Sequence, residues 1–140
     1  MSKDNYEGVT IALTPAKAEE IFLDSLCNGL DYLGGYGLSY EYEKADYLAA
    51  KARLKAKLSE NAAICREDVL MEILRGGGEL KFIDNENENE NDSTLTIAMV
   101  HERVAKTPIR HITDFLEGND DATTADCVLQ TVLFNEIVFG

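Results

Sequence analysis

The sequence predicts an α+β fold: a single compact domain over residues 1–140, in which about five helices pack on a small, mostly antiparallel sheet containing a hairpin with a long acidic tip. Three observations predict it. The length of 140 residues suits one buried core and not two independent domains. A composition of 45% hydrophobic and 28% charged residues with two prolines is that of a folded globular protein rather than a disordered or collagen-like chain. Stretches with apolar residues at helical spacing are also interrupted by short runs of alternating pattern, two of which flank a low-complexity acidic stretch.

In chain order, Val9–Leu13 alternates as a short strand. Thr14-Pro15 then supplies a cap and a first-turn proline, so a helix is expected with Ala18, Ile21, Phe22, Ser25, Leu26 and Gly29 inward, stopped by Gly34-Gly35. The next alternating run is Gly37–Tyr42, with Leu38, Tyr40 and Tyr42 on one side, and it reads as a strand. The Ala-, Leu- and Lys-rich segment Lys44–Leu58 favours helix, with Tyr47, Ala50, Leu54 and Leu58 inward and its cations outside. A third helix, Arg66–Arg75, presents Val69, Leu70, Ile73 and Leu74 and stops at Gly76-Gly77-Gly78.

Leu80–Asp84 and Ser93–Ile97 are β-type runs, and residues 84–92 between them are expected to be a flexible, solvated tip. Ala98–Lys106 reads as a short helix. Thr107-Pro108 ends it and starts another, with Ile109, Ile112, Phe115 and Leu116 inward and Gly118 after it. Asp120 or Asp121 caps a last helix bearing Ala125, Val128, Leu129, Val132 and Leu133, which runs into Ile137-Val138-Phe139 as a terminal strand.

The net charge of −13 repels duplex nucleic acid and anionic membrane surfaces, so neither is expected as a partner. Its distribution is uneven: Lys44–Lys57 sums to +4 and His101–His111 to +2, whereas Asp84–Asp92 carries −5. Three widely spaced cysteines, none in a CxxC pair, argue for reduced, mostly buried thiols and against a disulfide framework or a thiolate zinc site. The first residues lack the order of a signal peptide, and no apolar run approaches the ~20 residues of a membrane span. An intracellular protein is expected.

No motif carries catalysis. His101-Glu102 opens as a zinc-protease helix would, but Ala105 stands where the second histidine belongs and Pro108 interrupts the helix. The acidic stretch has Asn89 where a calcium loop needs glycine and Leu95 where it needs a bidentate glutamate. Gly34-Gly35-Tyr36-Gly37 follows a helix and precedes a strand, the reverse of a phosphate-binding loop. No serine sits in GxSxG, and Asp120, Asp121 and Asp126 are most simply cap and dipole residues at a helix start.

What stands out is the basic segment around Pro108. There His101, Arg103, Lys106, Arg110 and His111 offer phosphate-binding groups at a helix-to-helix break, and Tyr36, Tyr40 or Tyr42 supplies a ring to stack on a base. The competing explanation is that these cations pair with neighbouring carboxylates.

The series Cys27-Asn28-Gly29-Leu30, Gly35-Tyr36-Gly37-Leu38, Glu67–Arg75, Val100–Val104, Thr107–His111 and Asp120-Asp121-Ala122, closing on Gln130-Thr131-Val132 and Phe139-Gly140, resembles small bacteriophage and prophage proteins of gut bacteria. The resemblance implies a phage setting, the cytoplasm of the bacterial host, and no active-site residue. The expected function is that of a non-enzymatic, cofactor-free accessory protein countering host defence. It would sequester a small anionic nucleotide-type signal on Tyr36, Tyr40, His101, Arg103, Lys106, Arg110 and His111, with no metal. The rivals are an acidic protein-binding inhibitor or DNA mimic that engages a host protein, and a structural or assembly component of the virion. A homo-oligomer is compatible with each.

Overall fold

Thr14 Oγ1 accepts a hydrogen bond from the Lys17 amide at 3.1 Å, and Pro15 occupies the first helical position. These two residues set the start of α1 (Pro15–Gly35) as the sequence predicts. A computed structural model describes residues 12–59 and 62–140. Val9–Ile11 of the expected first strand lie outside the described residues, and Ala12 and Leu13 are irregular.

The buried face of α1 carries Ala18, Ile21, Phe22, Leu26, Leu30 and Leu33. Each large apolar side chain removed from water contributes roughly 1.5–3 kcal/mol. This face packs against α6 (Ala122–Phe134), which buries Ala125, Val128, Leu129, Val132 and Leu133 as expected. The two helices approach closely at Gly29, where an added Cβ would sit 2.9 Å from Ala125 Cβ. Asp121, not Asp120, caps α6, its Oδ1 accepting from the Thr124 amide at 3.0 Å.

Among the described residues, three strands form one antiparallel sheet in the order β1 (Leu38–Glu41), β2 (Leu80–Asp84), β3 (Ser93–Leu95). The register sets Leu38 opposite Asp84, Tyr40 opposite Phe82 and Leu80 opposite Leu95, and these residues face the helices. Ser39, Glu41, Lys81 and Thr94 take the other face, as the period of two requires. β3 is shorter than expected: Thr96 Oγ1 accepts from the Met99 amide at 3.4 Å and caps α4 (Ile97–Arg103), so Ile97 belongs to a helix. A 3-10 turn, Val104–Lys106, links α4 to the Thr107-Pro108 bend and α5 (Ile109–Leu116).

α2 (Lys44–Lys57) lies on α3 (Arg66–Arg75) through Ala50 and Leu54. Leu58, expected inside, is 45% exposed, because α2 has ended and the chain turns extended there. Two of the outer cations bridge the pair: Arg53 Nη2 donates to the Glu72 carbonyl at 2.9 Å, and Lys57 Nζ lies 3.4 Å from Glu72 Oε1. On α5, His111 rather than Leu116 is turned inward; Leu116 is 50% exposed.

Within residues 84–92, Asp84 is buried, and its carboxylate accepts from the Glu86 and Asn87 amides and from the Asn87 and Asn91 side chains at 2.8–3.2 Å. Burial alone would raise its pKa, but these donors hold it below the usual carboxylate range, so the ring of asparagines winds around a charged centre. Ile137–Phe139 form no strand. The buried Gln130 side chain replaces one, accepting from the Val138 and Phe139 amides at 2.8 Å each and donating to the Phe139 carbonyl at 3.0 Å. The cysteines are free thiols as expected, but Cys27 and Cys65 are exposed and Cys127 is half-buried.

Candidate functional site

The seven residues singled out in the sequence are dispersed over the end of α1, β1, α4, the turn after it and the start of α5. His101 Nε2 lies 2.7 Å from Glu19 Oε2, and Arg75 Nε donates to Glu19 Oε1 at 2.7 Å, so one carboxylate ties α1 to both α3 and α4. Burial raises the Glu19 pKa, but the hydrogen bonds from Arg75 and His101 outweigh it and hold the group ionised below its ordinary value. Arg103 Nη1 donates to the Val132 carbonyl at 3.0 Å, supporting the C-terminal turn of α6. Lys106 pairs with Glu102 at 3.5 Å, one helical turn away.

Arg110 is exposed in the first turn of α5 and forms no ion pair among the described residues. His111 beside it is buried, and neither ring nitrogen has a hydrogen-bond partner among the described residues. Burial and the neighbouring Arg110 charge push its pKa below the ordinary imidazole value, so the ring is neutral at pH 7.

The two tyrosines serve other neighbours. Tyr36 donates its hydroxyl to Asp126 Oδ2 at 2.8 Å and stacks on Phe139. Tyr40 lies in the sheet with its ring 5.9 Å from that of Phe82, and the Arg66 guanidinium sits 5.8 Å over its face.

Tyr36 lines one small groove with Asp31, Tyr32 and Gly35, but none of the basic residues enters it. A second cleft, of about 360 Å³, has a different character. It opens where β1 leaves the sheet and β2 enters, and it is lined by Glu41, Glu43, Asp46 and Glu79 with Tyr42 and, among the described residues, a single cation, Lys81. Gly77 and Gly78 form part of its wall; Gly77 has a φ of +90°, and a Cβ on Gly78 would come within 3.1 Å of Asp46 Oδ2. Tyr42 is 39% exposed and stacks on Tyr47 with ring centroids 4.9 Å apart, which fixes an aromatic ledge beside the carboxylates.

This grouping escapes a linear reading. Glu41, Glu43 and Asp46 are visible as an acidic run, and the glycine triplet is visible as a helix stop. Only the Glu41–Lys81 register of the sheet joins them. Chemically the cleft suits a cation carried on an extended or aromatic-compatible group, a guanidinium or ammonium above all. Among the described residues, no group of three or more His, Cys, Asp or Glu side chains is arranged to hold a metal ion, and no helix is long and apolar enough to cross a membrane.

Compared with models of protein families, with curated proteins and with solved structures, the chain matches none.

Proposed function

We propose that the chain is a non-enzymatic, acidic protein-binding module whose cleft between β1, α2 and the Gly77-Gly78 turn receives basic side chains of a partner. In the phage setting that the sequence resemblance implies, the partner is a host protein and the outcome of binding is its inhibition. The observation that carries this reading is the cleft itself, whose described lining holds four acidic residues and a stacked tyrosine against one lysine. The net charge of −13 supports it, since complementary fields raise association rates and the attraction falls as salt screens it.

The test is capture of a bacterial partner by the immobilised chain across an ionic-strength series. Expected is retention at low salt and steep loss as salt rises, with Glu43→Lys combined with Asp46→Lys abolishing capture and Arg110→Ala leaving it intact. Capture indifferent to the two reversals would refute the assignment.

The second reading is sequestration of a nucleotide-type signal, favoured by one observation: Arg110 is exposed beside the first turn of α5 without an ion-pair partner among the described residues. A nucleotide panel that raises the melting temperature of the wild type but not of Arg110→Ala would select it over the acidic module.

A further inference from the structure

We infer that the outer edge of β1 takes an extended, basic segment of the partner as an added strand, so that the partner is held by its main chain as well as by its cations. This inference rests on the acidic-cleft reading above and specifies the form of its ligand.

Among the described residues β1 is an edge strand, since the sheet order is β1-β2-β3. The Asn85 amide donates to the Gly37 carbonyl at 3.0 Å, one step beyond the pairing of Leu38 with Asp84. In an antiparallel ladder bonded and non-bonded pairs alternate, so Ser39 and Glu41 are the residues whose main chain binds β2. The N–H and C=O groups of Leu38 and Tyr40 therefore point away from β2, and no backbone hydrogen bond from a described residue meets these four groups. β1 reads Leu-Ser-Tyr-Glu, without the proline, lysine or bulge by which sheets usually block an edge.

Charge selects the occupant. The only ionised side chain in β1 is Glu41, and the chain continues into Glu43 and Asp46 at the cleft. A second copy of this acidic chain would set like charges against like, whereas a strand bearing Lys or Arg would pair with them. The period of two fixes the pattern. Side chains of the added strand that share the outer face with Ser39 and Glu41 are cationic, and the alternate ones lie on the Tyr40 side, where an apolar group fits against the ring.

The experiment titrates the full chain with a capped hexapeptide of alternating lysine and valine, with a glutamate-valine control, and with two versions N-methylated at alternate backbone amides. Methylation removes donors from one side of a strand only. Expected is binding of the lysine peptide and not of the control. One methylated version should lose at least tenfold in affinity while the other binds as the parent does, and amide exchange at Leu38 or Tyr40 should slow at least tenfold in the complex. Equal affinity of the parent and both methylated versions overturns strand addition and leaves the cleft reading intact. No binding of the lysine peptide by a chain that still captures its partner through Glu43 and Asp46 also overturns strand addition, whereas failure of both experiments removes the acidic-cleft reading with it.

Discussion

The Tyr36 ring lies flat against the Phe139 ring, their centroids 4.8 Å apart and their planes 6° from parallel. The stack closes a chain of contacts that begins at the Tyr36 hydroxyl, passes through Asp126 to Gln130, and ends on the main chain of Val138 and Phe139. Burial and the Asp126 carboxylate push the Tyr36 hydroxyl up to about 12, so it stays a donor across the working pH range. A glutamine in the core of a helix would ordinarily be costly. Here its oxygen and nitrogen are all used, and it does for the tail what a neighbouring strand would have done.

Gln130→Leu should therefore release the tail. Three hydrogen bonds to Val138 and Phe139 disappear, for a cost of about 2–3 kcal/mol at roughly 1 kcal/mol each. Amide exchange at Val138 and Phe139 should accelerate at least tenfold while α3 and the sheet keep their protection. Tyr36→Phe retains the ring and should cost only about 1 kcal/mol, one hydrogen bond. Unchanged exchange at both amides in Gln130→Leu would show that the tail is held by something else.

Gly29 and Gly34 offer a paired test of how α1 meets α6. At Gly29 a Cβ would meet Ala125 Cβ at 2.9 Å and the Ala125 carbonyl carbon at 3.2 Å, and neither can swing aside. Gly29→Ala should destabilise by about 1–2 kcal/mol, the overpacking outweighing the helix propensity gained. Gly34, near the end of the same helix, would place a Cβ with nothing within 4 Å among the described residues, and Gly34→Ala should stabilise by about 0.5–1 kcal/mol. Thermal melts of the two variants should shift in opposite directions.

Much of this frame was legible from the chain alone. Thr14-Pro15 gave the start of α1 to the residue, and Gly76-Gly77-Gly78 gave the stop of α3, because capping and positive-φ glycine are local chemistry. Periodicity also named most of the core. The failures are tertiary. Thr96 lies inside the β-type run Ser93–Ile97 but is also a good helix cap, and the outcome is a cap that makes Ile97 the first residue of α4. The basic residues around Pro108 looked convergent because they are close in sequence, yet His101 reaches back to Glu19, 82 positions away, and Arg103 reaches the end of α6. No local pattern signals a partner at that separation. The acidic cleft was missed for the same reason: its two halves are joined only by the pairing of β1 with β2.

Asp84 gives a prediction for the acidic hairpin. Its carboxylate is an acceptor on both oxygens, and an amide in its place would set a donor against the Asn87 and Asn91 side-chain donors. Asp84→Asn should lower the melting temperature and leave the amides of Glu86 and Asn87 exchanging at the rate of an unstructured chain. The reversal Glu88→Lys, whose side chain is exposed and is not among the hydrogen-bond partners of the Asp84 carboxylate, should leave the melting temperature within a degree or so of the wild type. If the two variants melted alike, the buried carboxylate would not be what organises the loop.

His111 contributes to the response to acid. Its folded-state pKa lies below the unfolded value of 6.5, since burial and Arg110 disfavour the charged ring more than Asp114 and Asp121 favour it. The stability it supports is complete above pH 6.5 and declines as pH falls through 6.5 towards the folded pKa, because the unfolded chain binds the proton first. Asp24 acts in the opposite sense. Burial and the nearby Asp120 carboxylate raise it from 3.8 to about 6, so its contribution is greatest below 3.8 and is lost as pH rises from 3.8 to about 6. Between those limits the two partly cancel, and the wild type should show a shallow profile. Asp24→Asn removes the opposing group, and urea titrations of this variant should show a larger loss of stability than the wild type as pH falls below 6.5. Adding His111→Leu should reduce that loss again by removing a buried ring whose nitrogens have no partner among the described residues. A double variant that keeps the whole loss would place the acid-sensitive group elsewhere in the chain.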